Sequence, residues 1–479
     1  MTSGNGKLIK EASIDALPLD RFEGLISDES YASFVDAMQA GANAMQDRTM
    51  WHVNATLKGG GVAEMLGSLL PYVCGAGINT RWVEVNGEDD FFAVTKRLHN
   101  YLHGSDGDGG DFGDDEKKIY ASSLASNESQ LMPEVQAGDI VFVHDPQTAG
   151  LIPGLVERGA QVVWHCHIGV DEPNDIVKHA WDFLLDYVAA AHRYIFTREA
   201  YLWDDLDPDG LRVIAPSIDA FAPKNQNLDP ETLESLLRAA GVTQGEPDSS
   251  PKFTRSDGEP GELTRQIEII DGSKALPDEA RVVLQSARWD RLKDPTGVIE
   301  FFADGVSDSA DDIHLIVAGP SVEGVSDDPE GAEVLEECRA LRESLTSGVR
   351  ERVHLMCSPM ADEDEAAVLV NALQRRGDVV VQKSLAEGFG LVIAESMWKE
   401  RPVVSARVGG IQDQIEHGHS GILVDDASDG DGFAGAVLEL LDDRERAREM
   451  GARARDRVID RFLAPRQLTE TMELIAELE

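Results

Sequence analysis

The amino-acid sequence predicts an α/β fold: two Rossmann-like, doubly wound domains that face each other across a cleft. Two observations lead to this class. Short apolar runs alternate with helical patterns from residue 49 to about 222, and a second alternation begins at 281. Between the two series lies a polar segment rich in Pro, Gly, Ser and Asp, residues 243–262. Strands alternating with helices are typical of a parallel sheet with crossover helices, so two series indicate two sheets.

The predicted strands are short runs of apolar residues, many of them β-branched or aromatic. In the first series they lie in TMWHVNAT, INTRWVEV, DIVFVHD, AQVVWHCHIG, HRYIFT and LRVIAPS. In the second series they lie in ARVVLQSARW, DIHLIVAG, RVHLMC, DVVVQKS, RPVVSARVGG and SGILVD. The resulting domains are an N-terminal extension (1–46), a first Rossmann-like domain (47–222), a linker or insertion (223–280), a second Rossmann-like domain (281–462) and a C-terminal helix (463–479) able to cross back to the first domain.

Composition excludes several classes of function. The net charge of −45 over 479 residues argues against a nucleic-acid partner, whose phosphates would be repelled. Such self-repulsion is best tolerated in abundant salt, so we expect a protein adapted to high salt; the alternative is a merely acidic mesophilic protein. No secretory signal or membrane span is visible, and four scattered cysteines suit reduced thiols. We therefore expect a cytoplasmic protein without membrane contact.

Ligands of doubly wound sheets bind at the carboxyl ends of the strands, so the residues that follow each strand are the candidates. After the first strand comes Lys58-Gly59-Gly60-Gly61 and then a helix. Glycines let the backbone approach a ligand, and helix N-terminal amides bind anions. The loop lacks the Gly-Lys-Ser/Thr ending of a Walker A motif. A purely steric role for these glycines is the alternative.

Two further strands of the first domain end in polar residues. Asp145 follows His144, and His165 and His167 share one face of their strand. A zinc site is disfavoured, because no third ligand appears at metal spacing in the sequence. His165 is interpreted as a core histidine, whereas His167 precedes Gly169 at the strand end and is interpreted as functional.

The second domain offers cations and carboxylates. Arg288 and Lys293 follow its first strand and suit a diphosphate whose charge grows as it leaves; two solvated surface bases are the alternative. In SLAEGFGLVIAES, Glu387 lies in a turn, and the amides of Phe389, Gly390 and Leu391 open a helix able to hold an anion. Glu395, one turn into that helix, can accept hydrogen bonds from a ribose diol. Together these groups describe a nucleotide-sugar site.

These motifs resemble those of the retaining glycosyltransferases of the GT-B fold. That family carries a Glu-x7-Glu motif, an Arg and a Lys after the first strand of the C-terminal domain, and a Gly-rich loop in the N-terminal domain. Within it, the chain is most similar to the trehalose glycosyltransferring synthases, with the trehalose phosphorylases as close relatives. The segments that carry this similarity are WHVNATLKGGGVAEML, FVHDPQ, PSIDAFAPKN, SARWDRLKDPTGVI and SLAEGFGLVIAESMWKERPVV.

The resemblance implies a role for each candidate residue. Arg288 and Lys293 would bind the donor diphosphate, and Glu387 would bind hydroxyls of the donor glucose. Glu395 would bind the nucleotide ribose. His167 would contact the donor sugar near the reacting carbon, Asp145 would hold the acceptor glucose, and Gly60 and Gly61 would lie against the diphosphate.

The implied reaction transfers glucose from a nucleoside-diphosphate glucose to free glucose and forms trehalose with retention, reversibly if conditions allow. Front-face attack requires no side-chain nucleophile and no cofactor; Mg²⁺ is expected at most to assist the diphosphate. The alternatives are a trehalose phosphorylase, another GT-B hexosyltransferase, an epimerase acting on a nucleotide sugar, and a non-catalytic sugar sensor. The nucleotide base, the exact acceptor, the direction of reaction and the oligomeric state, a homodimer included, stay open.

Overall fold

The protein, as a computed structural model, is described over residues 9–58, 60–245, 250–270, 275–322 and 329–478. Gly59 of the predicted glycine-rich loop lies outside these residues, as do parts of the predicted extension and linker. The chain divides into two compact units. Unit 1 contains the residues up to Ser217 together with those from Phe462 onward, and unit 2 contains Ile218–Arg461.

Unit 1 is built on a sheet that has seven strands within the described ranges, in the order β1-β3-β2-β4-β5-β6-β7. The strands are β1 (Lys10–Glu11), β2 (Met50–Asn54), β3 (Thr80–Glu84), β4 (Ile140–His144), β5 (Gln161–Cys166), β6 (Arg193–Phe196) and β7 (Leu211–Val213). All neighbours are parallel except β1, which runs antiparallel to β3. The strand order reverses between β2 and β4, which makes that point the expected ligand site.

Helices cover the unit 1 sheet. They are α1 (Asp28–Ala44), α2 (Gly61–Gly75), α3 (Asp89–Leu102), α4 (Asp114–Leu131), α5 (Asp145–Thr148), α6 (Ile152–Glu157), α7 (Asp175–Val188) and, from the chain end, α17 (Ala464–Ala476). One face of the sheet contributes Trp51, Val53, Val143, Trp164 and Cys166 to a large apolar core. Since side chains alternate along a strand, His52, His144 and His165 belong to the opposite face.

Unit 2 contains a second sheet, also of seven strands as far as the structure describes them, in the order β10-β13-β12-β11-β14-β15-β16. Its strands are β10 (Glu268–Ile269), β11 (Arg281–Ser286), β12 (Ile313–Pro320), β13 (Val353–Ser358), β14 (Val379–Gln382), β15 (Val403–Ala406) and β16 (Ile422–Val424), and a separate hairpin comprises β8 (Lys252–Thr254) and β9 (Pro260–Glu262). Only β10 is antiparallel to its neighbour in the described part of this sheet. Here the order reverses between β11 and β14.

The helices of unit 2 follow the strands in α/β alternation. They are α8 (Pro230–Ala239), α9 (Pro295–Phe301), α10 (Pro329–Ser344), α11 (Ser347–Arg350), α12 (Glu363–Arg376), α13 (Leu391–Trp398), α14 (Ile411–Gln414), α15 (Gly430–Asp442) and α16 (Arg444–Arg461). Two parallel sheets with crossover helices confirm the predicted fold class. No helix within the described ranges is long and apolar enough to span a membrane.

The unit boundaries differ from the predicted domain boundaries at both ends of the first domain. Residues 9–46, predicted as an extension, supply the edge strand β1 and the helix α1, which packs against α17. Both β1 residues are exposed and polar, so the sequence carries no apolar signal for this strand. The described parts of 223–280, predicted as a linker, belong to unit 2 and include α8, the β8–β9 hairpin and β10.

Candidate active site

The predicted residues of unit 1 lie where its strand order reverses. Asp145 follows β4 directly and has a φ of 58°, in the left-handed region that non-glycine residues seldom adopt. Its carboxylate Oδ1 accepts a hydrogen bond from the main-chain N–H of His167 at 2.8 Å. This bond links the ends of β4 and β5, so the structure brings Asp145 and His167 together. Backbone strain of this kind clusters at functional sites, which is consistent with a binding role for Asp145.

Burial sets the protonation of these groups. The pKa of Asp145 is raised to about 7, because burial disfavours its charged form more than the bond from His167 favours it. Burial lowers the pKa of His167 to about 3, so its imidazole is neutral at physiological pH. A neutral imidazole and a carboxyl group near its midpoint can both exchange hydrogen bonds with sugar hydroxyls.

His167 is one end of a chain of histidines that the sequence did not reveal. Its Nε2 is 3.2 Å from Nδ1 of His144, and Nε2 of His144 is 3.0 Å from Nδ1 of His52. His165 stacks on His167 with ring centroids 3.9 Å apart. The sequence shows no third ligand at metal spacing beside His165 and His167, but the structure places His144 next to both rings. His144 is directly opposite His165 in the β4–β5 register, a pairing that the sequence does not specify.

The glycine-rich loop of unit 1 connects β2 to α2. Gly60 is the N-cap of α2 and has a φ of 84°, which suits glycine. The preceding turn is fixed because the main-chain N–H of Leu57 donates to Oε2 of Glu84 at 2.9 Å. Gly61 is the first residue of α2, so both predicted glycines lie at the uncapped, electropositive end of this helix. The geometry suits an anion there.

In unit 2 the central contact of the predicted site is an ion pair between Lys293 and Glu387. Nζ of Lys293 donates to Oε2 of Glu387 at 2.5 Å, and both side chains are largely buried. Ser384 Oγ donates to the same carboxylate oxygen at 3.2 Å. Lys293 follows β11 and Glu387 follows β14, the two strands at which the order reverses. The structure thus brings together two residues that are far apart in the sequence.

Arg288 has a different environment from Lys293. Its side chain is 48% exposed, and its Nη2 pairs with Oδ2 of the buried Asp290 at 3.1 Å. Asp290 also accepts from the main-chain N–H of Leu292 at 2.8 Å, which holds the short helical turn that carries Lys293. Arg288 is therefore presented to solvent at the carboxyl end of β11, available to an anion.

The Gly-Phe-Gly turn opens α13 as predicted. Gly390 is the N-cap of this helix, with a φ of 82°, and Leu391 is its first residue. The main-chain carbonyl of Phe389 accepts from Nε2 of Gln414 at 2.6 Å, which fixes the turn from behind. Because the N-cap is a glycine, no N-cap side chain competes with an anion for the amides at the helix start.

Glu395, predicted to bind the ribose, is almost completely buried among other side chains. Its side chain is 4% exposed; Oε1 is 3.3 Å from Nζ of Lys224, and Oε2 accepts from Nε2 of Gln374 at 2.9 Å. Burial alone would raise the pKa of Glu395, but the charges of Lys224 and Lys399 hold it below its ordinary value. Lys224 and Gln374 are therefore internal partners of this buried carboxylate, and its contact with a ribose stays a prediction.

Two family models match this chain. The family model "Trehalose synthase, N-terminal domain" matches residues 52–203, and "Glycosyl transferases group 1" matches residues 266–457. A trehalose synthase of Rubrobacter xylanophilus is 33% identical over 460 residues, which cover 95% of this chain and 96% of the relative. A trehalose phosphorylase of Pleurotus pulmonarius is 26% identical over 425 residues, 85% of this chain but 54% of the relative.

The fold has solved counterparts. The α,α-trehalose 6-phosphate synthase of Burkholderia multivorans superimposes with a TM-score of 0.66 at 15% sequence identity, covering 90% of this chain and 98% of that one. Both the resemblance and the GT-B fold predicted from the sequence are confirmed. The chain is a glycosyltransferase and belongs to the trehalose synthase family.

Proposed function

We propose that this enzyme transfers glucose, with retention, from a nucleoside-diphosphate glucose to free glucose and so forms trehalose. The observation that carries the proposal is the Lys293–Glu387 ion pair at the point where the unit 2 strand order reverses. The pair supports the proposal because Lys293 can stabilise a leaving diphosphate and the adjacent Glu387 can bind sugar hydroxyls. The similarity to trehalose synthases over 95% of the chain supports the choice of products.

The proposed residue roles are those that the resemblance implies, and they are given for each unit separately. In unit 2, Lys293 and Arg288 stabilise the diphosphate as its negative charge grows, and Glu387 orients the donor glucose. The amides of Phe389, Gly390 and Leu391 hold a phosphate. In unit 1, Asp145 binds the acceptor, His167 contacts the donor sugar, and Gly60 and Gly61 approach the diphosphate. No side chain is assigned as nucleophile, and Mg²⁺ has at most an assisting role.

A trehalose phosphorylase is the second candidate, and one observation favours it. Glu395 is satisfied by Lys224 and Gln374, so its presence does not require a nucleotide. A phosphorylase would use the same cations to hold free phosphate, and phosphorylases are among the relatives. Against it, the chain spans only about half the length of that phosphorylase.

Nucleoside diphosphate binding separates the two candidates. Calorimetry with UDP, ADP and GDP in molar KCl should show binding of at least one of them by the wild-type protein. Glu395→Gln should weaken that binding by roughly 1.5–3 kcal/mol if the carboxylate also accepts ribose hydroxyls, because a charge-assisted hydrogen bond is lost.

The matched control is Glu365→Gln. Glu365 is also a buried glutamate on a unit 2 helix, where it accepts hydrogen bonds from Thr264 and Arg265. Its substitution should lower stability without changing nucleoside diphosphate affinity. If no nucleoside diphosphate binds at millimolar concentration, and the protein instead releases glucose 1-phosphate from trehalose and phosphate, the phosphorylase replaces the transferase.

A further inference from the structure

The polar face of the unit 1 sheet carries a histidine cluster that the proposed transfer reaction does not explain. One ring nitrogen from each of His144, His165 and His167 lies within 4.8 Å of the other two. Nδ1 of His144 and Nε2 of His167 are 3.2 Å apart. Nε2 of His165 is buried and has no hydrogen-bond partner among the described residues. Such an unpartnered nitrogen is costly unless something else occupies it.

We propose that His144, His165 and His167 form a binding site for a divalent transition-metal ion of the zinc class. Imidazole nitrogens suit Zn²⁺, Ni²⁺ and Cu²⁺, whereas Mg²⁺ and Ca²⁺ prefer oxygen ligands. Two nitrogens bound to tetrahedral zinc at about 2.0–2.1 Å lie roughly 3.3 Å apart, close to the separation of the His144 and His167 nitrogens. Three histidines leave a fourth position for water.

His52 supports this assignment from behind. If Nδ1 of His144 holds the metal, Nε2 of His144 carries the proton. This N–H donates a hydrogen bond to Nδ1 of His52, 3.0 Å away. A metal-bound histidine usually donates its other ring N–H in this way, which fixes the tautomer and the ring orientation. His52 is itself held in place by stacking on Phe142, with ring centroids 4.8 Å apart.

Occupancy has a consequence for activity, and this consequence rests on the proposed function. His167 is the residue assigned to the donor sugar, and a metal on its Nε2 removes that nitrogen from the sugar. The metal is therefore inhibitory in the proposed transfer reaction. The binding itself does not depend on the proposed function.

Binding is tested by equilibrium dialysis of the full chain against Zn²⁺ in molar KCl. We expect wild-type protein to bind one more ion than His165→Gln, or to bind that ion at least 10-fold more tightly. His52→Ala should weaken binding by roughly 10- to 100-fold, as is typical when the hydrogen-bond partner of a ligand is lost. His179→Gln is the control, because His179 is exposed on α7 and outside the cluster. Equal stoichiometry and affinity in wild type and His165→Gln would overturn the proposal.

A second measurement needs no variant. Crystals of the wild-type protein soaked in Zn²⁺ should give an anomalous peak at the zinc edge surrounded by the rings of His144, His165 and His167. No peak there, or peaks only at other positions, would also overturn the site. In a transfer assay Zn²⁺ should inhibit wild type more strongly than His165→Gln. Zinc binding without any glucose transfer in metal-free buffer would refute the proposed function and leave the metal site standing.

Discussion

Among the single residues, Lys293 has the largest role in the proposed transfer reaction. Lys293→Ala should reduce turnover by roughly 10²-fold or more, because a preorganised charge at the leaving group is lost. The matched control is Arg291→Ala, two residues away, since Arg291 is 47% exposed and pairs with surface carboxylates of Glu333 and Glu337. Initial rates at saturating donor and acceptor provide the measurement. Equal losses in both variants, or normal turnover in Lys293→Ala, would remove Lys293 from the catalytic machinery.

A buried histidine gives a pH dependence of stability. His354 on β13 bonds through Nε2 to Nδ1 of His314 at 3.0 Å, and burial is the main cause that lowers its pKa to about 3. Since the unfolded state binds a proton near pH 6.5 and the folded state does not, the free energy of unfolding falls as the pH drops from 6.5 toward 3.

His354→Gln keeps a hydrogen-bonding group but removes this proton uptake. At pH 5 the wild-type protein should therefore have lost roughly 2 kcal/mol more of its pH 8 stability than the variant. Chemical denaturation at both pH values in molar KCl measures the difference. Parallel losses in the two proteins would show that His354 is not the titrating group.

The sequence located most of the candidate residues for a physical reason. Strand ends in doubly wound sheets meet at one edge, so Asp145, His167, Lys293 and Glu387 could be chosen from strand ends alone. Partners that depend on strand register or on burial could not be chosen from the sequence. His144 became a neighbour of His165 through the β4–β5 register, and Lys224 reached Glu395 from a distant segment.

At the scale of elements, the start of α2 can be tested by a pair of glycines. Gly60 has a φ of 84° and open space around it. Gly60→Ala should therefore lower the free energy of unfolding by roughly 1–2 kcal/mol through backbone strain alone. Gly67 is exposed within the same helix and equally uncrowded. Its substitution by alanine should instead raise the free energy of unfolding by about 0.5–1 kcal/mol. Thermal unfolding of both variants measures the contrast. Changes of the same sign would contradict the described loop geometry.

Elements with a strong apolar period were predictable, and elements without one were not. The strand β14 can be recognised in the sequence by its run of β-branched residues. The helix α7 can be recognised by the helical spacing of its apolar residues. β1 is two exposed polar residues, and it is a strand only because β3 offers an open edge. For the same reason residues 9–46 read as an extension although α1 packs against α17 in unit 1.

For the whole molecule, the net charge is the main influence on how stability depends on salt. With a charge of −45, self-repulsion should destabilise the folded state in dilute buffer and be screened in molar salt. The melting temperature and the activity should both rise from dilute buffer to molar KCl. A melting temperature that stays flat or falls over this range would identify the protein as merely acidic rather than adapted to salt.

Synthesis of trehalose from a nucleotide-activated glucose can be tested by analysis of the product. The protein is incubated with free glucose and UDP-, ADP- or GDP-glucose in molar KCl, and the product is identified by NMR. We expect a non-reducing disaccharide with an α,α-1,1 linkage from at least one donor, together with release of the nucleoside diphosphate. Absence of any disaccharide with all the donors, in protein shown to be folded, would contradict it.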